Sequence, residues 1–243
     1  MKKLLVLLFS ILVSSSALSD VYYDKQLKRI FVLWEINVPE DDPNFAVKPS
    51  YWMNDLQLFK DYIEQNEVKD IYFDGIGGSI LTGNEMIKII NKNNIPTIFG
   101  KLCLSMCGTI SNQVNEPKIF NNALFQLHNP IDMTTSDPLT GSDLKEWKGK
   151  QIDALKKVNI SEELLSRFEK LKGDAQIILN CEEWVNSFPK KMTCIDPILL
   201  SELTKSAEVN SAIVEYRSAE DSRYEELLAL REILIEKNIR NSK

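Results

Sequence analysis

The feature that most narrows what this chain can fold into is a regular alternation of strand-like and helix-like segments between Arg29 and Leu102. Residues RIFVLWEINV, from Arg29 to Val38, are rich in β-branched and aromatic side chains and stop at Pro39; the acidic PEDDPN that follows reads as a surface loop. From Met53 the apolar positions Met53, Leu56, Phe59 and Ile63 recur at helical spacing, which predicts a helix ending near Asn66. VKDIYFDG is a short apolar run stopped by glycine. Leu81 to Asn93 carries Met86, Ile87 and Ile90 in helical register, and NNIPT turns into the short strand TIFGKL. This β-α-β-α-β succession predicts a parallel sheet with right-handed crossovers, because parallel neighbours need a connection long enough to hold a helix.

Further along, SMCGTISNQV predicts a short helix, and PKIF and ALFQLHNP predict two short strands. Residues 130 to 149 read as loop, with Asp137-Pro138 and Thr140-Gly141 as turn signals. A helical region is expected from about Gln151 to Leu171, with Ser161-Glu162-Glu163 opening its second helix. From Pro197 a polar helical stretch carries Tyr224, Leu227, Leu230 and Leu234 on one stripe, so it either packs on the domain or reaches toward a partner. No internal repeat or low-complexity linker interrupts the chain. With 44% hydrophobic and 26% charged residues, nine Gly and nine Pro, the composition is that of a globular protein, not of a disordered, collagen-like or multi-span membrane chain.

Lys2 and Lys3, the run LLVLLFSILV and the small residues SSSALS have the order of a secretory signal, with cleavage expected after Ser19. The ten-residue run from Leu4 to Val13 is well short of the roughly 20 residues a membrane span needs, which disfavours an uncleaved anchor. The expected organisation is therefore a signal peptide over 1–19, a main domain over 20–196 and a C-terminal helical extension over 197–243, in a periplasmic or secreted product with no stable membrane span. Without Lys2 and Lys3 the chain carries 27 basic and 35 acidic residues, a net charge of −8, and nucleic acid is an unsuitable partner. In an oxidising compartment the four cysteines point to disulfides, and closeness in sequence pairs Cys103 with Cys107 and Cys181 with Cys194. Neither pair has CxxC spacing and the chain has one His, so no metal and no cofactor is expected.

Three segments could carry chemistry. GIGGSILTG, Gly75 to Gly83, lies where a strand gives way to a helix, a place where exposed backbone N–H groups can hold an anion or oxyanion; the alternative is that its glycines only make the turn. CLSMCGTI, from Cys103 to Ile110, is a second strand-to-helix junction. Ser105 there can present its hydroxyl beside the N–H of Met106, or serve simply as the helix N-cap. His128, in QLHNP, is the sole histidine and by itself more often structural than catalytic. The adjacent carboxylates Glu182-Glu183 and Glu225-Glu226 diverge on a helix and read as solvated faces.

In this order, Gly77-Gly78, Ser105-Met106 and His128-Asn129-Pro130 resemble the Clp protease proteolytic subunit within the Clp/crotonase superfamily, in particular exported bacterial members with Cys-x-Ser-x-Cys around the serine. Ser105 lies 27 residues after Gly78, and His128 a further 23 after Ser105. The resemblance spans about Ile30 to Phe188. It implies an α/β fold, a Clp/crotonase-type spiral of β-β-α units with appended C-terminal helices, and a serine hydrolase site. Ser105 would attack an acyl carbon, His128 would take its proton, Gly77 would shape the turn, and the N–H groups of Gly78 and Met106 would hold the oxyanion. Two departures stand out: Gly75-Ile76 replaces the family's Ser-Pro, and the position of the third triad member falls on Gln176, with Asp174 two residues away. The sequence thus supports an exported peptidase or acyl hydrolase acting on a peptide or protein, in a family whose members form homo-oligomers. The alternative is a catalytically silent domain that binds a peptide or protein through the same groove.

Overall fold

Parallel pairing begins on a hairpin that periodicity did not disclose. In a computed structural model describing residues 21–34, 49–78, 80–130, 139–173, 175–189 and 191–241, β1 (Val21–Asp24) pairs antiparallel with β2 (Arg29–Trp34). The main alternation follows as α1 (Pro49–Gln65), β3 (Asp70–Gly75), α2 (Ile80–Asn93), β4 (Thr97–Leu104) and α3 (Met106–Gln113). Then come β5 (Lys118–Phe120), β6 (Leu124–His128), α4 (Gly141–Lys157), α5 (Glu162–Glu169), β7 (Gln176–Asn180), α6 (Cys181–Asn186), β8 (Thr193–Ile195), α7 (Leu200–Leu203) and α8 (Ala207–Asn241). The result is a mixed α/β fold on one eight-stranded sheet, in the order β1-β2-β3-β4-β5-β8, with β6 pairing both β4 and β7.

The first and last pairs, β1 with β2 and β6 with β7, are antiparallel; the ladders joining β2, β3, β4, β5, β6 and β8 are parallel. Strand β3 is buried along its whole length, as a central parallel strand covered on both faces should be. Phe73 stacks on Phe99 at 5.2 Å, and Phe125 stacks on Trp184 at 4.4 Å.

One irregularity in this sheet places everything downstream. Phe73 of β3 pairs with Phe99 and Gly75 with Cys103, so Asp74 alone faces the three residues Gly100, Lys101 and Leu102 of β4. The buried Asp74 carboxylate fills that bulge, accepting the N–H of Lys101 at 3.2 Å, the N–H of Leu102 at 2.8 Å and the Tyr72 hydroxyl at 2.5 Å. A Cβ at Gly100 would fall 2.1 Å from both Asp74 Oδ2 and Tyr72 Oη, so only glycine fits. Before the bulge β4 pairs with β5 through Ile98 and Phe99; after it, β4 pairs with β6 through Leu102, Cys103 and Leu104.

Helix α8 has 35 residues, about 50 Å of helix at 1.5 Å per residue, and it packs on the sheet. Its stripe of Tyr224, Leu227, Leu230 and Leu234 joins Leu102, Leu104, Leu124, Ile178 and Ile76 in a second apolar cluster, while Val209, Ile213 and Tyr216 enter the main core. Polar ties reinforce it: Tyr224 donates to the Asn122 carbonyl at 2.9 Å, Lys101 pairs with Asp221 at 2.5 Å and Arg231 with Glu183 at 3.0 Å. Among the described residues no helix is long and apolar enough to cross a membrane.

One expectation needs correction. Helix α4 starts at Gly141, within the stretch expected to be loop, because Leu155 is its one fully buried side chain and no apolar period announces it. The strand expected over residues 29–38 is present as β2 as far as Trp34, and residues 35–48, where its expected end and PEDDPN lie, are outside the described residues, as are the signal segment 1–19 and Asp20.

The β1–β2 turn is locked to the start of α8 by Asp24, which is fully buried. Its carboxylate accepts from the N–H groups of Gln26, Leu27, Lys205 and Ser206 and from the Thr204 hydroxyl, at 2.5 to 3.1 Å. Burial alone would push the carboxyl pKa up; the donors, led by Lys205 and Thr204, outweigh it and hold the group at about 2. A carboxyl whose folded pKa is depressed contributes stability that is present above the unfolded value and lost as pH falls toward the folded one. We expect Asp24→Asn to cost about 2 kcal/mol at pH 7 and almost nothing at pH 2, measured by urea denaturation at both pH values. An equal cost at both would contradict the assignment.

Candidate active site

Directly after β4 the chain bends at Ser105 into α3. Ser105 has φ 50° and ψ −117°, a left-handed conformation that costs a non-glycine residue roughly 1–3 kcal/mol and persists only where surroundings impose it. Ser105 occupies the N-cap position of α3, yet its hydroxyl makes no capping hydrogen bond. Its N–H donates to the Gln126 carbonyl at 3.2 Å, fastening the turn to β6.

Two contacts impose the strained turn. The Cys103–Cys107 disulfide joins the end of β4 to the first turn of α3 across a Cα separation of 4.9 Å, with both residues fully buried. On the other side lies Gly77, at φ 96°; a Cβ there would sit 2.6 Å from the Leu104 carbonyl oxygen, 2.7 Å from the Met106 nitrogen and 2.9 Å from Ser105 Cβ. The glycine turn after β3 therefore rests, through Gly77, on the serine turn after β4. The Met106 side chain runs into α2, where a Cβ on Gly83 would meet its Cε at 2.3 Å. Gly83 thus makes room for Met106 and is not part of the turn. Ser79 lies outside the described residues.

His128 ends β6, beside β4 and in parallel register with it: Leu102 faces Leu124, Cys103 faces Phe125 and Leu104 faces Gln126. Ser105 and His128 thus leave adjacent strands at the same edge of the sheet. The His128 Nδ1 lies 2.6 Å from the Asn129 carbonyl oxygen. A carbonyl can only accept, so Nδ1 carries the proton and Nε2 keeps its lone pair. Burial lowers the ring pKa below the ordinary 6.5, partly offset by the bond to Asn129, so the imidazole is neutral at pH 7.

Across the antiparallel ladder His128 faces Gln176, whose side-chain oxygen accepts from the Gln126 amide. Gln176 is therefore engaged with Gln126. Asp174 lies outside the described residues, and among those described the ring's hydrogen-bond partner is the Asn129 carbonyl.

Beneath the site, Trp184 of α6 stacks on Phe125, donates its indole N–H to Ser111 at 3.0 Å and abuts Gly108 of α3. The second disulfide, Cys181–Cys194, with Cα atoms 6.1 Å apart, ties α6 to β8, and both expected pairings are therefore present. Glu183, expected to be a solvated charge, completes a capping box with Asn180 and pairs with Arg231. Among the described residues no group of three or more His, Cys, Asp and Glu side chains is placed to hold a metal ion.

Sequence reasoning passed over Asp74 and Asn129. Asp74 was legible: a lone carboxylate in an apolar run needs buried partners, and Gly100 within TIFGKL signals a bulge or a close backbone approach.

No protein-family model and no curated protein matches the chain. Among solved structures it is similar to ClpP1 from Listeria monocytogenes, with TM-score 0.45 and 12% identity over 71% of this chain and 94% of that one. It is similar to a mutant of the 1510-N membrane-bound stomatin-specific protease in complex with a substrate peptide, with TM-score 0.44 and 14% identity over 63% and 72%. A second mutant of that protease gives TM-score 0.42 and 12% identity over 60% and 74%.

Gly77→Ala should lower stability by at least about 2 kcal/mol, through both the left-handed φ and the clash with the Ser105 turn. Gly149→Ala, in α4 with open space around its Cβ position, should be neutral or stabilising by up to about 1 kcal/mol. Denaturant midpoints of the two variants measure this. Equal stability for Gly77→Ala and wild type would show that the two turns do not touch.

Proposed function

We propose that the chain is an exported serine peptidase or related acyl hydrolase of the Clp/crotonase type, acting on peptide or protein substrates. The observation that carries the reading is Ser105 itself: a serine held at φ 50° at the head of a helix, with its hydroxyl not spent on capping. A cap needs neither the strain nor the idle hydroxyl, whereas a nucleophile benefits from both. In this reading the Ser105 Oγ attacks the acyl carbon and its proton passes to His128 Nε2. The tetrahedral oxyanion is held by the N–H groups of Gly78 and Met106, and His128 returns the proton to the leaving group. Water then hydrolyses the acyl-enzyme by the same route.

Export is supported by the signal-like segment together with the commitment of all four cysteines to two disulfides, which suits an oxidising compartment. The motif order puts the third triad position on Gln176, and Asp174, two residues away, is the nearest carboxylate in sequence. The second reading, a silent peptide-binding domain, draws on the carbonyl that takes a carboxylate's place at Nδ1. A homo-oligomer is in keeping with the resembled family and is read directly by light scattering of the exported product.

The test is labelling with a fluorophosphonate, which modifies only an activated serine. We expect labelling of the wild type, none of Ser105→Ala, and at least a hundredfold slower labelling of His128→Ala with an unchanged thermal transition. Folded wild-type protein that does not label, or labelling that survives Ser105→Ala, would sink the enzyme reading. The wild-type rate should hold from pH 7 down to the ordinary histidine value and fall only below it, because burial keeps His128 neutral there. An acid limb above pH 6.5 would contradict this.

A further inference from the structure

Asn129 follows His128 at the end of β6 and is 2% exposed. Its side-chain amide donates to the Gly173 carbonyl at 2.9 Å, joining the end of β6 to the chain leading into β7, 44 residues away. Its Oδ1 is buried with no hydrogen-bond partner among the described residues. The amide thus ties two distant segments through its N–H while leaving its oxygen unpaired, which costs about 1–3 kcal/mol. Pro130 comes next, and a residue before proline is confined to extended backbone, which limits the directions its carbonyl can take.

We propose that Asn129 is the positioning residue of His128: its main-chain carbonyl accepts the hydrogen bond from Nδ1–H, and its side-chain amide, anchored on Gly173, holds that carbonyl so that Nε2 faces the Ser105 turn. The geometry stands on its own contacts; its consequence for catalysis rests on the peptidase reading. An orienting carboxylate would both fix the tautomer and stabilise the imidazolium. A carbonyl fixes the tautomer but carries no charge, which yields a base oriented for transfer with a pKa set mainly by burial. The lowered His128 pKa is in keeping with that. The strand neighbours of His128 in the register are uncharged: Gln176 across the β7 ladder and Gln126 two residues earlier on β6. Asp174 is the carboxylate that could compete for the role.

Because His128 is the sole histidine, nitrogen-15 NMR of the full chain reads its tautomer and titration midpoint with no activity needed. The wild type should show the Nδ1–H tautomer at pH 7. Asn129→Ala should shift the population toward Nε2–H, the form a solvated histidine side chain favours, and move the midpoint further down because a bond favouring the protonated ring is weakened. Fluorophosphonate labelling should slow about tenfold or more in the same variant. Asp174→Asn should leave tautomer and midpoint unchanged.

An Nε2–H ring in the wild type would overturn the proposal. So would Asn129→Ala with wild-type tautomer and midpoint, or a change of either on Asp174→Asn. Should Asn129→Ala lack the wild-type thermal transition, the wild-type and Asp174→Asn spectra decide alone: Nδ1–H in both supports the proposal, and any change between them overturns it. A wild type that never labels removes the peptidase reading and leaves the tautomer measurement free to judge Asn129.

Discussion

The geometry of this protein hangs on the Asp74 carboxylate buried in the bulge between β3 and β4. A parallel ladder that skips three residues on one strand leaves backbone N–H groups with no carbonyl to meet, and here Asp74 supplies the missing acceptors to Lys101 and Leu102. Two buried donors left unsatisfied would cost on the order of 2–6 kcal/mol, enough to close the bulge or unravel the strand end. With the bulge in place β4 changes partner from β5 to β6, and Ser105 and His128 leave neighbouring strands at one edge. Tyr72 and Gly100 serve the same device, one as a donor to the carboxylate and the other as the gap in which it fits.

Around that pin the site is held from three sides. Gly77 presses the glycine turn onto the serine turn, the Cys103–Cys107 disulfide closes the serine turn on itself, and Trp184 wedges β6 against α3 through Phe125, Gly108 and Ser111. Helix α8 covers the cluster of Leu102, Leu104, Leu124 and Ile178, and its contact with Ile76 reaches the glycine turn itself. The C-terminal helix thus packs against the strands that lead to Ser105 and His128.

What the sequence disclosed follows from range. The central β-α-β-α-β run was legible because its helices bury one stripe and its strands are apolar throughout, so period and composition agree. The α8 stripe was legible for the same reason. Helix α4 was not, because a helix with one buried side chain leaves no period to find. Ser105 was ambiguous in principle: a cap and a nucleophile occupy the same position in the chain, and only the backbone angles with the unused hydroxyl separate them. Asn129 was beyond reach, since its anchor on Gly173 joins segments 44 residues apart and involves a backbone carbonyl that any sequence would possess.

In the proposed enzyme the bulge delivers Ser105 to His128 beside the Gly77-Gly78 turn, and a crystal structure of phosphonate-treated protein would decide the matter. The account predicts phosphorus bonded to Ser105 Oγ, the phosphoryl oxygen facing the N–H groups of Gly78 and Met106, and His128 Nε2 within about 3 Å of the Ser105 oxygen or its leaving-group side. An unmodified Ser105 whose hydroxyl lies more than about 6 Å from both ring nitrogens, with the Asp74 bulge intact, would contradict it, because proton transfer needs hydrogen-bond reach or a single bridging water.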